Sequence, residues 1–293
     1  MRFVSYQAPG DGSAFGSTDG DTVVPLRTPN GPATLVEFLG QPRSAIEAAI
    51  EMARRNGREL PLNSVRFLPV IERPGKIVCL GLNYADHARE GGFKVPDYPA
   101  LFLRVTSSIV GNGEAIIRPR ASETLDYEAE LAVVIGKRGR HVAAADALDH
   151  VVGYTLFNDA SVRAYQRRSA QWTAGKNFDA TGALGPWLVT PDELPPGGTN
   201  LHIECRLNGR VMQSASTADM IFDVPHMIEI ISEIMTLEPG DVIATGTPPG
   251  VGHARTPPVW MQDGDVCEIE IERIGILRNP VRDEAPMPVE AAQ

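Results

Sequence analysis

Apolar positions in this chain alternate or cluster in short runs, and patterns with helical spacing are few. Phe3-Val4-Ser5-Tyr6 and Thr22-Val23-Val24-Pro25-Leu26 read as strands around a Gly/Asp-rich turn. Ala45 to Arg58 carries Ile46, Ala49, Ile50 and Met52 at helical spacing. Arg73-Pro74-Gly75 then punctuates the chain, so residues 1–72 are expected to form a small N-terminal module. From residue 73 to Asp283 strand-like runs dominate, among them Glu130 to Gly136, Leu201 to Leu207, Asp241 to Ala244 and Val266 to Ile271. Val224 to Met235 is the clearest helix there, with Pro225 in the first turn, where a missing N–H is tolerated. Residues 284–293, with two Pro and three Ala, are expected to be a disordered tail. The pattern predicts a β-rich α+β protein.

Composition narrows the function classes. The 37 acidic and 27 basic residues give a formal charge of -10, which disfavours nucleic acid as a partner. Cys79, Cys205 and Cys267 are odd in number, far apart and never in a C-x-x-C pair, so neither a disulfide framework nor a zinc site is indicated. Cys79 lies in the apolar run Ile77 to Leu80, and Cys267 shares a predicted strand face with Ile269 and Ile271. The N-terminus lacks the apolar run of a signal peptide, and no stretch approaches a membrane span. A reduced, cytoplasmic setting is the expectation, with no membrane partner.

The chemistry begins in Asp126-Tyr127-Glu128-Ala129-Glu130, which runs straight into Leu131-Ala132-Val133-Val134-Ile135. Side chains two apart in a strand share a face, so the three carboxylates would project together at the entrance to a buried strand. Burying like charges costs several kcal/mol unless something positive neutralises them. A hard divalent cation suits an all-oxygen donor set. The bland alternative is a solvated strand end.

Other segments carry chemistry of their own. Asp159 ends the apolar run Val151 to Phe157; it would either cap a following helix or complete a carboxylate site with Glu128 and Glu130. Arg163 and Gln166 are three apart and would share a helix face, available to neutralise the cluster, to bind a substrate carboxylate, or merely exposed. In Asn83-Tyr84-Ala85-Asp86-His87-Ala88-Arg89-Glu90, Asn83 or Asp86 would cap a short helix holding His87 and Glu90 three apart. Such a pair is either a surface contact or an oriented general base. Gly91 to Asp97 is a glycine-hinged lid or a simple loop. Lys176 would supply a fixed positive charge for an oxyanion, unless it is solvated like most lysines. Thr247, in the turn-dense loop Ala244 to Gly252, would hold a carboxylate or only shape the connection.

Taken in this order, and with Leu207-Asn208-Gly209 and Met220-Ile221-Phe222, these segments resemble the fumarylacetoacetate hydrolase (FAH) family over roughly Arg73 to Val281. The resemblance implies the FAH-type catalytic fold, a mixed β-sandwich or barrel, here with a small N-terminal module, and assembly as a homodimer. It implies a metal site of Glu128, Glu130 and Asp159 for Mg²⁺ or Mn²⁺, with Ca²⁺ also admissible, and leaves Asp126 outside the ligand set. It casts His87 and Glu90 as the catalytic pair and Lys176 as oxyanion stabiliser. Arg104, Arg163, Gln166 and Thr247 fall at substrate-contacting positions; many relatives carry Lys where this chain has Arg104, whose planar fork differs in geometry.

The activity implied is hydrolysis of the C3–C4 bond of a 2,4-diketo acid (an acylpyruvate) to pyruvate and a carboxylic acid, in aromatic or sugar-acid catabolism. Water activated by His87 would attack C4. Decarboxylation of oxaloacetate-type acids, isomerisation of hydroxymuconates and dehydration of sugar acids use the same scaffold. A non-catalytic metal- or ligand-binding protein is the reading from a different class.

Overall fold

The computed structural model describes residues 1–8, 12–57 and 59–286. Among them, most strands join one 12-stranded sheet. It starts from the meander of Leu60–Pro61, Thr22–Pro25, Ser13–Thr18 and Arg2–Gln7. It continues through Gly182–Val189, Val151–Asn158, Ala129–Ile135, Val242–Ala244, Ile77–Gly81 and Ala100–Arg104. A 5-stranded sheet (Arg210–Ser216, His202–Leu207, Val266–Ile271, Gly275–Asp283, Ile116–Arg118) lies over one part of it. This is the β-rich mixture that the short apolar runs predict.

The central strand Ala129–Ile135 is buried along its whole length, which explains a run with no polar alternation. Leu131, Val133 and Ile135 face a core shared with Ile203, Cys205, Ile269 and Ile271 of the smaller sheet. Ala132 and Val134 face a second core with Phe3, Phe15, Phe38, Ile46 and Ile50. Each large side chain buried there stabilises the fold by about 1.5–3 kcal/mol. The N-terminal segment is therefore bonded into the large sheet: Phe3 pairs with Leu188 across antiparallel strands. The helix Arg43–Arg55 falls on the predicted periodicity and buries Ile46 and Ile50.

Some expectations shift. Ser13–Thr18 is a strand in a stretch read as a turn, because its residues pair with Arg2–Gln7 on one side and Thr22–Pro25 on the other. Gly182–Val189 is an eight-residue buried strand running through Gly185-Pro186-Trp187, which reads locally as a turn. Neither Asn83 nor Asp86 caps the helix Ala85–Glu90; Tyr84 stands at its N-terminus with no side-chain cap. Asp86 pairs instead with Arg89 at the surface. Of the expected tail, 287–293 lie outside the described residues, while Glu284 is tied to Arg118 and Arg120 through backbone and side-chain bonds. No helix among the described residues is long and apolar enough to cross a membrane. All three cysteines are buried free thiols.

Candidate active site

Strand register builds the acidic centre. Ala129 pairs with Asn158, so the preceding Glu128 meets Asp159, and the Asp159 N–H donates to the Glu128 carbonyl at 3.0 Å. Two carboxylates about thirty positions apart thus become neighbours at the same end of an antiparallel ladder. Glu128, Glu130 and Asp159 are all buried and offer oxygens within 4.8 Å of one another. The Gly246 N–H holds Glu130 Oε2 at 2.9 Å. Gly246 has φ +95°, and a Cβ there would sit 2.8 Å from the Asn83 side chain, so this close approach requires glycine.

The charges around this centre are unequal. Burial opposes ionisation of Glu128, but Arg163 and Lys176 overcome it and hold the carboxyl well below the usual range. Burial pushes the Glu130 carboxyl well up, and the negative charges of Asp159 and Glu128 push it further. Asp159 is also raised by burial, with Lys176 and Arg104 pulling the other way. Three buried oxygen donors, two of them destabilised as anions, fit a hard divalent cation, which would relieve the repulsion. Glu128, Glu130 and Asp159 are the residues that would hold it.

Lys176 is fully enclosed. Its Nζ lies 2.6 Å from Glu128 Oε2, 2.5 Å from Asp159 Oδ2 and 4.9 Å from the Phe102 ring centre. Burial alone would favour the neutral amine; Asp159 and Glu128 more than offset it and retain the ammonium. Arg163 has Nε 2.8 Å from Asp126 Oδ2 and Nη2 2.6 Å from Glu128 Oε1. Asp126 therefore stays outside the carboxylate triad. It accepts from Arg163, from the Gly252 N–H at 2.7 Å and from the His253 N–H at 3.0 Å.

A cavity opens over the triad, lined also by His87, Phe93, Arg163, Gln166, Arg167, Trp172, Lys176, Thr247 and His253. Gln166 accepts from Arg163 Nη1 through Oε1, which leaves its amide N–H groups for a ligand. Thr247 Oγ1 accepts from Gln213 Nε2 at 2.7 Å, so its own hydroxyl proton is free to donate. His87 Nδ1 stands 3.5 Å from Glu90 Oε2, and the Gly250 N–H donates to both Glu90 carboxylate oxygens. Arg104 is placed differently from the expectation of a substrate contact. Its guanidinium is wholly buried behind Asp159, bonded to Asp159 Oδ1 at 2.6 Å, Thr181 and the Ala160 carbonyl. It braces a triad carboxylate and does not line the cavity.

Several residues here carry no local signal. Asn83 is buried and cross-links Thr245 and Phe222 through its side chain, holding the loop that presents Gly246. Gln213 supports both Thr247 and the Ala129 N–H. Trp172 packs edge-on against Phe102 at 5.5 Å and walls the cavity. His253 follows a glycine-dense loop, and its partner Asp126 is 127 positions away.

The family described as Fumarylacetoacetate (FAA) hydrolase C-terminal matches residues 76–282. A mitochondrial oxaloacetate tautomerase of Bos taurus is 44% identical over 288 residues, covering 96% of this chain and 91% of that protein. The crystal structure of a 2-hydroxyhepta-2,4-diene-1,7-dioate isomerase from Mycobacterium marinum superposes with TM-score 0.78 at 37% identity, over 98% of this chain and 100% of that one. A maleylpyruvate hydrolase from Sphingobium, solved with manganese and pyruvate, does so with TM-score 0.80 at 30% identity, over 97% and 100%. With a family match over residues 76–282 and relatives that align along nearly the whole chain, the chain belongs to the fumarylacetoacetate hydrolase family of enzymes.

Proposed function

We propose that this enzyme interconverts the keto and enol forms of a 2-oxo dicarboxylic acid of the oxaloacetate type, using a divalent cation. The observation that carries the reading is the buried Glu128, Glu130 and Asp159 triad facing a cavity that also holds His87 and cationic side chains. The tautomerase name of the Bos taurus relative, which matches nearly the whole chain, and the isomerase name of the Mycobacterium neighbour support it. Mg²⁺ or Mn²⁺ on the triad would supply Lewis acidity that lowers the cost of an enolate. The amide of Gln166 and the hydroxyl of Thr247 present donors to substrate oxygens, with Arg163 fixed beside them. Lys176 keeps a positive charge next to the developing oxyanion. His87, oriented by Glu90, takes or returns the proton at C3.

The test follows ketonisation of enol-oxaloacetate, with and without EDTA. Full activity in rigorously metal-free protein overturns the metal dependence. His87→Ala is expected to lower turnover by about 10²–10⁴-fold; an unchanged rate removes His87 from this role.

A second reading is hydrolysis of an acylpyruvate. The His87 and Glu90 pair favours it, since a carboxylate-oriented imidazole suits activation of water, and the Sphingobium neighbour bears a hydrolase name. Pyruvate release from a panel of acylpyruvates, read by product mass, separates the two. A cytoplasmic location remains part of the proposal and fits the three free thiols.

A further inference from the structure

His253 borders the same cavity as His87 but comes from a different part of the chain, the short turn Gly252–Ala254. Its Nδ1 is 3.1 Å from Asp126 Oδ2. Asp126 is wholly buried, and Arg163 and two backbone N–H groups also donate to it. A carboxylate held in this way accepts only, so the ring proton belongs on Nδ1. Nε2 is then the ring nitrogen that Asp126 does not engage, on a side chain that lines the cavity. By contact distance His253 is better oriented than His87, whose Nδ1 is 3.5 Å from Glu90. The two rings also share a neighbourhood: burial pushes the Glu90 carboxyl up, and His87, Gly250 and His253 bring it back below its ordinary value.

We propose that His253, set by Asp126, is a second proton carrier of this site, working together with His87. The inference rests on the enolising reading above. In the enol-to-keto direction the proton of the enol hydroxyl on C2 passes to His253 Nε2. The O–H electron pair re-forms the C2 carbonyl, and the C2–C3 π pair takes a proton at C3 from the His87 imidazolium. Substrate and product have the same formula, no electrons are gained or lost, and the two rings re-equilibrate their protons with water between turnovers. A single imidazole would have to carry its proton from oxygen to carbon within one turnover; two rings remove that transfer.

The experiment follows ketonisation of enol-oxaloacetate with saturating Mn²⁺ for wild-type protein, His253→Ala and His253→Gln, with imidazole added back to each. Mn²⁺ affinity is measured alongside by titration calorimetry. Expected is a loss in kcat of about 10²–10⁴-fold in both variants. Unchanged Mn²⁺ affinity and partial recovery by imidazole in His253→Ala but not in His253→Gln are expected with it. A kcat within about threefold of wild type in either variant overturns the proposal, since proton transfer by a positioned group contributes far more. So does a loss that follows weakened Mn²⁺ binding, or no recovery with imidazole in a folded His253→Ala. Wild-type protein that leaves the enol at its background rate overturns the functional reading and this inference together. Active wild type with active variants overturns the inference alone.

Discussion

Glu130 shows how one residue can weaken the fold while building the site. Its carboxyl is buried, faces two other carboxylates and is pushed well up in pKa by burial, Asp159 and Glu128. Glu130→Gln keeps an acceptor for the Gly246 N–H and removes the like charge. Metal-free protein carrying it is expected to be more stable by about 1 kcal/mol, since the neutral amide is spared the desolvation and repulsion that the buried carboxyl meets. Its affinity for Mn²⁺ should fall in the same samples. Chemical denaturation and calorimetry check the two arms, and a variant that binds Mn²⁺ like wild type would remove Glu130 from the ligand set. Glu128 and Glu130 stand out in the sequence because carboxylates abutting an apolar run are costly without a purpose; Asp159, which locally reads equally well as a helix cap, joins them through the family resemblance. Arg104 was misread because its charge is visible in the sequence and its direction is not: the strand Ala100–Arg104 turns it behind Asp159.

Between elements, the site depends on close approaches that only small residues permit. The short helices Arg163–Gln166 and Thr173–Lys176 bring Gln166 and Lys176 to one wall of the cavity. A Cβ on Gly175 would lie 2.4 Å from the Gln166 backbone nitrogen and 2.5 Å from its Cα. Those are backbone atoms that cannot swing aside. Gly175→Ala is expected to force the helices apart, displace Lys176 and lower turnover at least tenfold, with a loss of stability of about 1–3 kcal/mol typical of overpacking. Unaltered kinetics would show that Lys176 is not held by this contact. The long elements were readable, since the helices Arg43–Arg55 and Val224–Ile234 and the strand Val266–Ile271 repeat at their own periods. Ser13–Thr18 and Gly182–Val189 were not, because their strand character comes from the partners they pair with.

At the scale of the molecule, a cation that binds only the folded triad must stabilise the fold. Saturation with Mn²⁺ at about a hundred times its Kd is expected to add about 2.7 kcal/mol, read as a rise in Tm that Glu128→Gln abolishes. No shift in wild type would argue against the triad as a metal site. Residues 1–72 are expected to be required for a soluble product. Removing them exposes Leu184 and Leu188 and leaves Gly182–Val189 without its Arg2–Gln7 neighbour. A soluble, active 73–293 fragment would show instead that the module is dispensable. By itself the sequence determined the β-rich class, the paired carboxylates Glu128 and Glu130, and the spacing of His87 and Glu90, because these rest on local period and on the cost of burying charge. Tertiary structure alone decided that Arg163 pairs with Asp126, that Arg104 supports the triad from behind, and that His253 meets Asp126. Each of those contacts joins residues more than thirty positions apart, and strand register and loop closure select such partners where no local pattern can.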